Sequence, residues 1–497
     1  MKRLFIIFIG LFLNVNSVFA EPDVAKSADS VGATTEQSVS EKNKKSVKKS
    51  EKAVLNKKIK KNKDGTTEIT MTGLEAVQLA GRLVEAGDYP HAMQILTKMP
   101  QTGSLPVEIE RWYLIAQVEQ RTGNIDGAIK IYRKILDDQP DLSKIRYELA
   151  LCYMAKERWY RADYHLRLAM AGKDIPEPIK QRMMYYRYIA RKNKNWNVWF
   201  NFGAAPDNNV NQATGGKECI LWHGMFYGCS QNPEPEKALG YNLLLGGNYE
   251  FKLSDEHWRW KNDANIYTNL YNKPKYDDLY LSSSSGPRYV WENGDVWLAG
   301  VISRRWYGSQ DHWNDWGEYN WAYGVKLDTN YDWTRKLSSG LMLRFMDNKY
   351  DDYGDFLNGQ SYTVSQRFSY SFDSTKYIVL RGGVNRDTAK MDAYANWRYD
   401  TGVGFGAALP WGFHTYLEPS FSWIRYDGER LAVKDESLKF LRAKDFVQRY
   451  ALSISNNNFE IWGFVPTVTI SYTDKDSNIH NRTYKKTTVE FTFQQRF

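Results

Sequence analysis

Histidine and cysteine side chains are the groups most able to bind a metal or act as nucleophiles, and this chain contains few of them. Its 497 residues include seven histidines and three cysteines. The histidines are His91, His165, His223, His257, His312, His414 and His480. No two of them have the short spacing at which neighbouring histidines share a metal ion. We therefore predict no metal site and no cofactor.

Motifs for nucleophilic or phosphate chemistry are also missing from the sequence. It has no G-x-S-x-G nucleophile elbow and no G-x-x-x-x-G-K-[ST] phosphate loop. A hydrolase could still gather Ser, His and Asp from separate strands, but nothing marks a nucleophile. We predict no catalytic residues and no enzyme activity. Without an ATP motif, any transport must draw its driving force from substrate binding, a partner or folding of the cargo outside.

The three cysteines fall in two settings. Cys219 and Cys229 lie in one polar segment, where an oxidising compartment would favour a short structural disulfide. Cys152 lies on a predicted helix among apolar residues, and we expect it to be a small buried side chain. The cysteines therefore indicate restraint of a loop and not redox chemistry.

The elements that carry these residues change their period near residue 195. Beyond that point apolar and polar residues alternate, as in the last segment, where Val489, Phe491 and Phe493 share one parity. Alternation places successive side chains on opposite faces of a strand. About fourteen such strands follow in residues 195–497, and the segments between them alternate between short turns and long polar loops, the last of these loops at 427–441. This pattern predicts a transmembrane antiparallel β-barrel.

The composition agrees with a barrel of this kind. Aromatic residues make up 15% of the chain, with 18 Trp and 34 Tyr, which suits two aromatic girdles. The mean hydropathy is −0.60, and no apolar run of helix-spanning length follows residue 20. A soluble aromatic-rich β-protein is the alternative, and the number and length of the strands disfavour it. The net charge of +9 comes without any nucleic-acid motif, so we predict no nucleic-acid partner.

The amino terminus has the features of an export signal. Residues 1–20 join a basic start to an apolar stretch and small residues, which predicts cleavage after Ala20. The residue directly after that position is not a cysteine, so the chain is not predicted to be a lipoprotein. Residues 21–70 are rich in Lys, Ser and Glu and predict a disordered linker, better explained as a spacer than as a lipid contact. An export signal and a barrel together predict a Gram-negative outer membrane.

Residues 71–192 have helical period and an internal repeat. Ala80, Ala116 and Ala150 are spaced 36 and 34 residues apart, close to the 34-residue tetratricopeptide period. About three units fit, which predicts an all-α scaffold with a concave binding face. An even number of barrel strands would place this domain in the periplasm. The residues expected to bind cargo on the concave face are Tyr113, Gln117, Gln120, Arg121, Lys144, Tyr147 and Met154.

Two stretches at opposite ends of the barrel carry a family resemblance. The first strand and its exit read NWNVWFNFGAAPDNNVNQAT (195–214), with an N-x-N-Q-A pattern at 209–213. The last hairpin contains G-x-x-P-x-x-x-x-S at 463–471 and ends YKKTTVEFTFQQRF (484–497). With the order of domains, these stretches resemble the surface lipoprotein assembly modulators (Slam), the translocators of type XI secretion. The resemblance covers the chain from about residue 74 to the end.

The resemblance implies a function in protein secretion. Members of this family carry specific partner proteins across the outer membrane to the cell surface. The cargoes are often surface lipoproteins that take part in haem or iron acquisition, and some members release soluble haem-binding proteins. Cargoes typically bear a small β-barrel domain that the translocator recognises. The implied partners are such a cargo, outer-membrane lipid, and the barrel-assembly machinery during biogenesis. The loop between Cys219 and Cys229 does not match the family pattern.

The two ends of the barrel suggest further roles. The first strand should pair with the last, and Gly203 and the Pro206 break motivate the hypothesis of a lateral seam that opens for an attached lipid. The alternative is that both residues simply end an ordinary strand. The terminal set Phe491, Phe493 and Phe497 resembles the signal that the barrel-insertion machinery reads.

Two other functions remain open at this stage. A polysaccharide-export porin also joins tetratricopeptide repeats to a barrel, but it should have a longer repeat array and a strongly charged lumen. A passive channel with a scaffold attached is the second alternative. Ion conductance that no candidate cargo affects would favour the passive channel.

Overall fold

The computed structural model describes residues 59–61, 67–69, 71–172, 175–222, 225–253, 255–308, 316–434, 437–461 and 464–495. The predicted signal peptide with its Ala20 cleavage site, most of the 21–70 linker and terminal Phe497 lie outside these residues. The chain divides into two compact units, residues 1–78 and residues 79–497. In the first unit, β1 (Ile59–Lys61) pairs antiparallel with β2 (Thr67–Ile69). Both strands fall in the predicted linker, whose disorder stays a prediction.

Seven α-helices precede the barrel in the described part of the chain. They are α1 (Gly73–Glu85), α2 (Tyr89–Lys98), α3 (Leu105–Arg121), α4 (Ile125–Asp138), α5 (Ser143–Ala155), α6 (Trp159–Met170) and α7 (Glu177–Lys192). Most of them are amphipathic and bury one side, as expected for stacked helices. Among the helices described, none combines the length and apolar character needed to span a membrane.

The repeated small residues lie where the helices pack closely. Ala116 and Ala150, from α3 and α5, have no exposed surface, and neither do Ala128 and Ala162 from α4 and α6. The turn between α3 and α4 contains Gly123 at φ +91°, a left-handed conformation that favours glycine. The predicted all-α region is therefore present, with small residues buried between its helices. Their assignment to the tetratricopeptide class stays a prediction.

Fourteen strands close into one antiparallel barrel, which confirms the predicted fold and strand number. The first strand of the barrel pairs with the second on one side and with the last on the other. The strands of the barrel are β3 (Trp196–Asp207), β6 (Ala238–Lys252), β7 (Trp258–Tyr271), β8 (Asp278–Trp291), β9 (Gly294–Tyr307), β10 (Glu318–Asp332), β11 (Leu337–Tyr350), β12 (Gly359–Ser371), β13 (Lys376–Asp387), β14 (Asn396–Ala408), β15 (Phe413–Lys434), β16 (Ser437–Asn456), β17 (Phe464–Ser477) and β18 (Tyr484–Gln495).

The outside of the barrel is apolar and the inside is polar. Trp321, Tyr323 and Val325 on β10 are exposed on the outer face, whereas Lys326 and Asp328 have the opposite parity. A closed barrel satisfies all of its backbone groups internally, so it can present such a surface to hydrocarbon. The alternation that was visible in the sequence therefore separates a lipid-facing surface from a polar lumen.

Two predicted loops contain strands. Residues 427–441 were expected to be a polar loop, but β15 and β16 continue through most of it and pair from Glu429 with Arg442 to Lys434 with Ser437. A register irregularity between Arg425 and Glu429 separates this hairpin from the barrel wall. The segment between β3 and β6 contains a second hairpin, β4 (Lys217–Trp222) and β5 (Met225–Gln231). In residues 427–441, closely spaced charged residues concealed the extended backbone.

Candidate functional site

The lumen has two unlike halves. On β6, β8 and β9 the inward side chains are buried and paired: Arg288 contacts Glu250 at 2.7 Å and Asp295 at 3.1 Å. Trp297 fills the space beside them and is only 5% exposed. On β11 to β14 and on β16, long inward side chains remain exposed instead. Solvent therefore reaches the inward side chains of β11 to β14 and β16, which we call the open half of the lumen.

The helices cover one end of this lumen. The barrel has six short connections at the end where β3 begins and β18 finishes, and the helical region contacts all six. A polar side chain from α6 also enters the lumen, where the Tyr160 hydroxyl donates to Asn248 Oδ1 at 2.8 Å. The contacts to the connections are Lys192–Glu256, Arg191 to the Glu292 carbonyl, Glu177–Arg335, Ser374 to the Asp141 carbonyl, the Gly412 amide to the Asp137 carbonyl, and Arg133–Glu460.

A buried ion network holds α7 against the barrel. Arg187 contacts Asp163 of α6 and Asp332 at the end of β10, both at 2.9 Å. Arg191 contacts the same Asp332, and Lys194 contacts Asp163 at 2.9 Å. Three cations thus share two carboxylates. Sequence reasoning missed this network, although the i, i+4 spacing of the two arginines placed them on one helix face.

The electrostatics of the network favour the ionised form of its acid. Burial alone would raise the pKa of the Asp163 carboxyl. The ammonium of Lys194 and the guanidinium groups of Arg187 and Arg191 outweigh burial and hold that pKa well below its usual value. Asp163 is therefore a permanent anion at neutral pH. A buried anion of this kind needs all of its partners in place.

The predicted cargo-binding residues divide into two groups. Near α3, Gln117 donates to the Tyr113 hydroxyl at 2.7 Å, and the Lys144 ammonium lies 3.9 Å from the centre of the Tyr113 ring. Arg121 is exposed, and Gln120 accepts a hydrogen bond from Tyr132. These five predicted residues therefore lie close together, with Tyr113 itself only 5% exposed.

The other two predicted residues pack against α7. The Tyr147 ring stacks with Tyr186 at 6.3 Å, and Met154 packs on the apolar cluster around Met183. Both are half-buried, so α7 covers this part of the expected face. The sequence also missed Glu148, whose pKa burial raises despite the opposing effect of Lys144. Cargo binding by the seven residues stays a prediction.

The pairing between the first and last strands is shorter than elsewhere in the barrel. β3 pairs with β6 over twelve residues, but only five of its residues pair with β18. Four of these five pairs run from Asn201 to Ala204, and the fifth joins Asp207 to Thr488. Between them Ala205 and Pro206 have no partner on β18, and proline has no N–H to donate. We call the whole pairing between β3 and β18 the seam.

The N-x-N-Q-A segment fastens the seam at its far end. The Asn209 side chain is buried, and its Nδ2 donates to the carbonyl of Lys485 at 3.1 Å. Its Oδ1 accepts from the Ala213 amide at 2.8 Å, which closes the segment on itself. Lys486 contacts Asp207 at 2.5 Å, and the Thr487 amide donates to Asn208 Oδ1 at 2.8 Å. The segment therefore links the exit of β3 to the start of β18.

Gly203 is expected to be essential for close contact across the seam. A Cβ at this position would lie 2.2 Å from the Phe491 carbonyl oxygen and 2.8 Å from the Thr492 Cα. Backbone atoms cannot move aside cheaply, so Gly203→Ala should force β3 and β18 apart. We expect a lower fraction of barrel that resists unfolding in detergent when samples are heated before electrophoresis. Gly300→Ala is the control, because its Cβ would have only the Ser285 carbonyl nearby, at 3.9 Å. Equal heat resistance of the two variants would contradict the expectation.

The remaining predicted residues lie on the last strand, on the β4–β5 hairpin or outside the described ranges. Phe491 is exposed on the outer face, and the Phe493 ring stacks on Phe202 at 5.1 Å. The insertion signal itself stays a prediction, as Phe497 is not described.

The β4–β5 register places Cys219 opposite Cys229, a separation that suits a disulfide, although the bond remains a prediction. Cys152 is buried, as expected. In the described ranges, no group of three or more His, Cys, Asp or Glu could hold a metal ion.

The family model and the related sequences that match this chain carry the same description. Residues 196–497 match the family model described as surface lipoprotein assembly modifier. The surface lipoprotein assembly modifier of Pasteurella multocida (strain Pm70) is 23% identical over 399 residues, covering 77% of this chain and 75% of that protein. Surface lipoprotein assembly modifier 1 of Neisseria meningitidis serogroup B is 24% identical over 389 residues, covering 76% and 74%.

Comparison with solved structures finds distant barrels. The outer membrane channel DcaP of Acinetobacter baumannii gives a TM-score of 0.35 at 8% identity, covering 61% of this chain and 97% of that one. A bacterial polysaccharide outer membrane secretin gives a TM-score of 0.31 at 8% identity, covering 60% and 98%.

Proposed function

We propose that this chain, which belongs to the surface lipoprotein assembly modifier family, delivers a specific partner protein from the periplasm to the cell surface. The chain is an outer-membrane β-barrel. Its cargo would be a surface lipoprotein or a secreted protein of haem or iron acquisition. The helical domain would lie in the periplasm and meet the cargo first. No step in this function requires catalysis.

The observation that carries the proposal is the cover over the lumen. Six contacts join the helices to all six short connections, so a substrate reaching this end meets the helical surface before the lumen. A passive channel gains nothing from such a cover. A translocator uses it to admit only a substrate that binds the helices and loosens their contacts with the barrel.

The seam gives a lipidated cargo a route between lumen and membrane. An acyl chain is stable in hydrocarbon, whereas the polypeptide needs a polar path. Parting of β3 from β18 would breach few ladder hydrogen bonds, since only five residue pairs join them. Lateral opening there would let the lipid stay in the membrane while the protein crosses through the lumen.

Surface display of a candidate cargo tests the proposal. The chain is co-expressed with the secreted or lipidated protein encoded beside it, and added protease is applied to intact cells. We expect the cargo to be digested only when this chain is present. A cargo that stays protected in both strains would contradict the proposal, provided that lysed cells show it to be protease-sensitive. A glycosyltransferase as the neighbour, with polymer export that depends on this chain, would favour the polysaccharide alternative.

A further inference from the structure

We propose that the open half of the lumen binds acidic, carboxylate-rich stretches of the polypeptide in transit. The inference rests on the proposed function, since it names the chemistry of the protein substrate. It is carried by five inward arginines, one from each of β11, β12, β13, β14 and β16. These residues, called the arginine wall below, are Arg344, Arg367, Arg381, Arg398 and Arg449.

The position of each arginine in its strand places it on the lumen side. Every one of them is next in sequence to a large apolar residue that is exposed on the outer face. Successive side chains of a strand point to opposite faces, so the arginines point inward. All five are nonetheless exposed, so their guanidinium groups meet solvent within the lumen. The outward neighbours are Leu343, Phe368, Leu380, Trp397 and Tyr450.

The register brings three of these charges into one row. Arg367 lies directly opposite Arg381, an arrangement in which like charges repel. The row continues through Gly402 and Ser420 to Arg449 on β16. The two small residues leave room above the sheet between the charged side chains. A row of like charges destabilises the folded chain when no anion neutralises it. Beside small residues, such a row suits contact with an extended anionic chain.

The charges of the wall are only partly neutralised. Arg381 donates to Glu418, and Arg398 contacts Asp400 at 2.8 Å. Over the described residues, Arg344, Arg367 and Arg449 make no ion pair. Five cations against two carboxylates leave a surplus of three positive charges.

Guanidinium groups and carboxylates are complementary in shape and charge. The planar fork of arginine binds a carboxylate through two parallel hydrogen bonds. A lumen enclosed by a wall of low dielectric constant strengthens the field of like charges and concentrates anions. Membership of a lipoprotein-assembly family favours a protein as the source of those carboxylates. An acidic polysaccharide is the competing source, and the test below separates the two.

Equilibrium binding to the full-length chain in detergent tests the wall. The probe is a fluorescein-labelled peptide rich in Asp and Glu, followed by anisotropy, with a Lys-rich peptide of equal length as its counterpart. We expect the acidic peptide alone to bind, and more weakly as ionic strength rises. The variant Arg344→Gln/Arg367→Gln/Arg449→Gln should weaken binding by at least about tenfold, because charge-assisted hydrogen bonds are lost.

The matched control removes the same charge outside the lumen. Lys98, Lys130 and Lys237 are exposed on the helices and an external loop, and their replacement by Gln should leave binding unchanged. Heat-modified migration on gels confirms that each variant is a folded barrel. If the triple arginine variant does not assemble, the single variant Arg449→Gln replaces it. We expect the single variant to bind the acidic peptide more weakly than the native chain does.

Two results would overturn the inference: no binding of the acidic peptide by the native chain, whether or not a polyuronate binds, or equal binding of the acidic peptide by the arginine variant and the native chain. These outcomes are independent of the export assay. Export of cargo by a chain that ignores the acidic peptide refutes the arginine wall and leaves the function standing. Peptide binding without export of any candidate cargo refutes the proposed function and leaves the arginine wall standing.

Discussion

Export of cargo should fall to background when a disulfide joins β3 to β18 through Asn201→Cys and Gln494→Cys. These positions are directly opposite in the seam, and opposed residues of antiparallel strands have the separation that a disulfide needs. The cross-link prevents the two strands from parting. If the lipid leaves through the seam, surface display of a lipidated cargo stops, and added reductant restores it. Protease digestion of the cargo on intact cells measures both states.

The control cross-links the same position of β3 to the strand on its other side. Asn201 is also directly opposite Leu244 on β6, so Asn201→Cys/Leu244→Cys locks the neighbouring pair of strands through the same residue of β3. We expect this variant to export normally, since β6 pairs with β3 along the full length of β3. Undiminished export by the Asn201→Cys/Gln494→Cys variant would refute lateral opening. Loss of export in both variants would show that any restraint of the wall is harmful and would refute a special role for this seam.

The second large effect is expected from Asp332→Ala in the ion network. Arg187 and Arg191 would lose the carboxylate that they share, and both are more than nine-tenths buried. Removing one partner of a buried ion pair costs about 3–5 kcal/mol, because the other charge stays buried and unpaired. Undocking of the helical domain should therefore become easier. Urea denaturation followed by the helical circular dichroism signal measures this loss.

Glu256→Ala is the matched control for that experiment. Glu256 also pairs with a residue of α7, but its side chain is 80% exposed. Exposed pairs contribute little to stability, so we expect an almost unchanged denaturation curve. Equal curves for Asp332→Ala and the native chain would show that the network does not hold the helices in place.

The same network predicts how docking depends on pH. The pKa of Asp163 is depressed in the folded chain, so its contribution is fully present above the unfolded value, about 4, and is lost as pH falls through the folded value. We expect stability to hold from neutral pH to about pH 4 and to weaken only below it. The Asp163→Asn variant should be less stable than the native chain at neutral pH, and its stability should depend less on pH in the acidic range. If the helices undock between pH 7 and 5, groups other than Asp163 control the pH dependence of docking.

Several features could be predicted from the sequence because they depend on neighbours along the chain. The alternation of apolar and polar residues around Phe491 predicted a barrel wall with one apolar face, and Phe491 is exposed on that outer face. The spacing of Ala116 and Ala150 predicted close helix packing, and both are fully buried. Packing between helices was not predicted: α7 lies against Tyr147 and Met154, two of the residues expected to bind cargo. Nothing in the local sequence shows which helix covers another.

Residue types and their period along the chain were thus enough to determine a barrel of fourteen strands, its polar lumen and the helical region before it. Only the tertiary structure decided which distant residues meet. Asp332 is 141 residues from Arg191, and Asn209 is 276 residues from Lys485. The pairing of Arg367 with Arg381 likewise depends on strand register. Closure of the barrel fixes all of these contacts together, because register and docking are properties of the whole wall and not of any single strand.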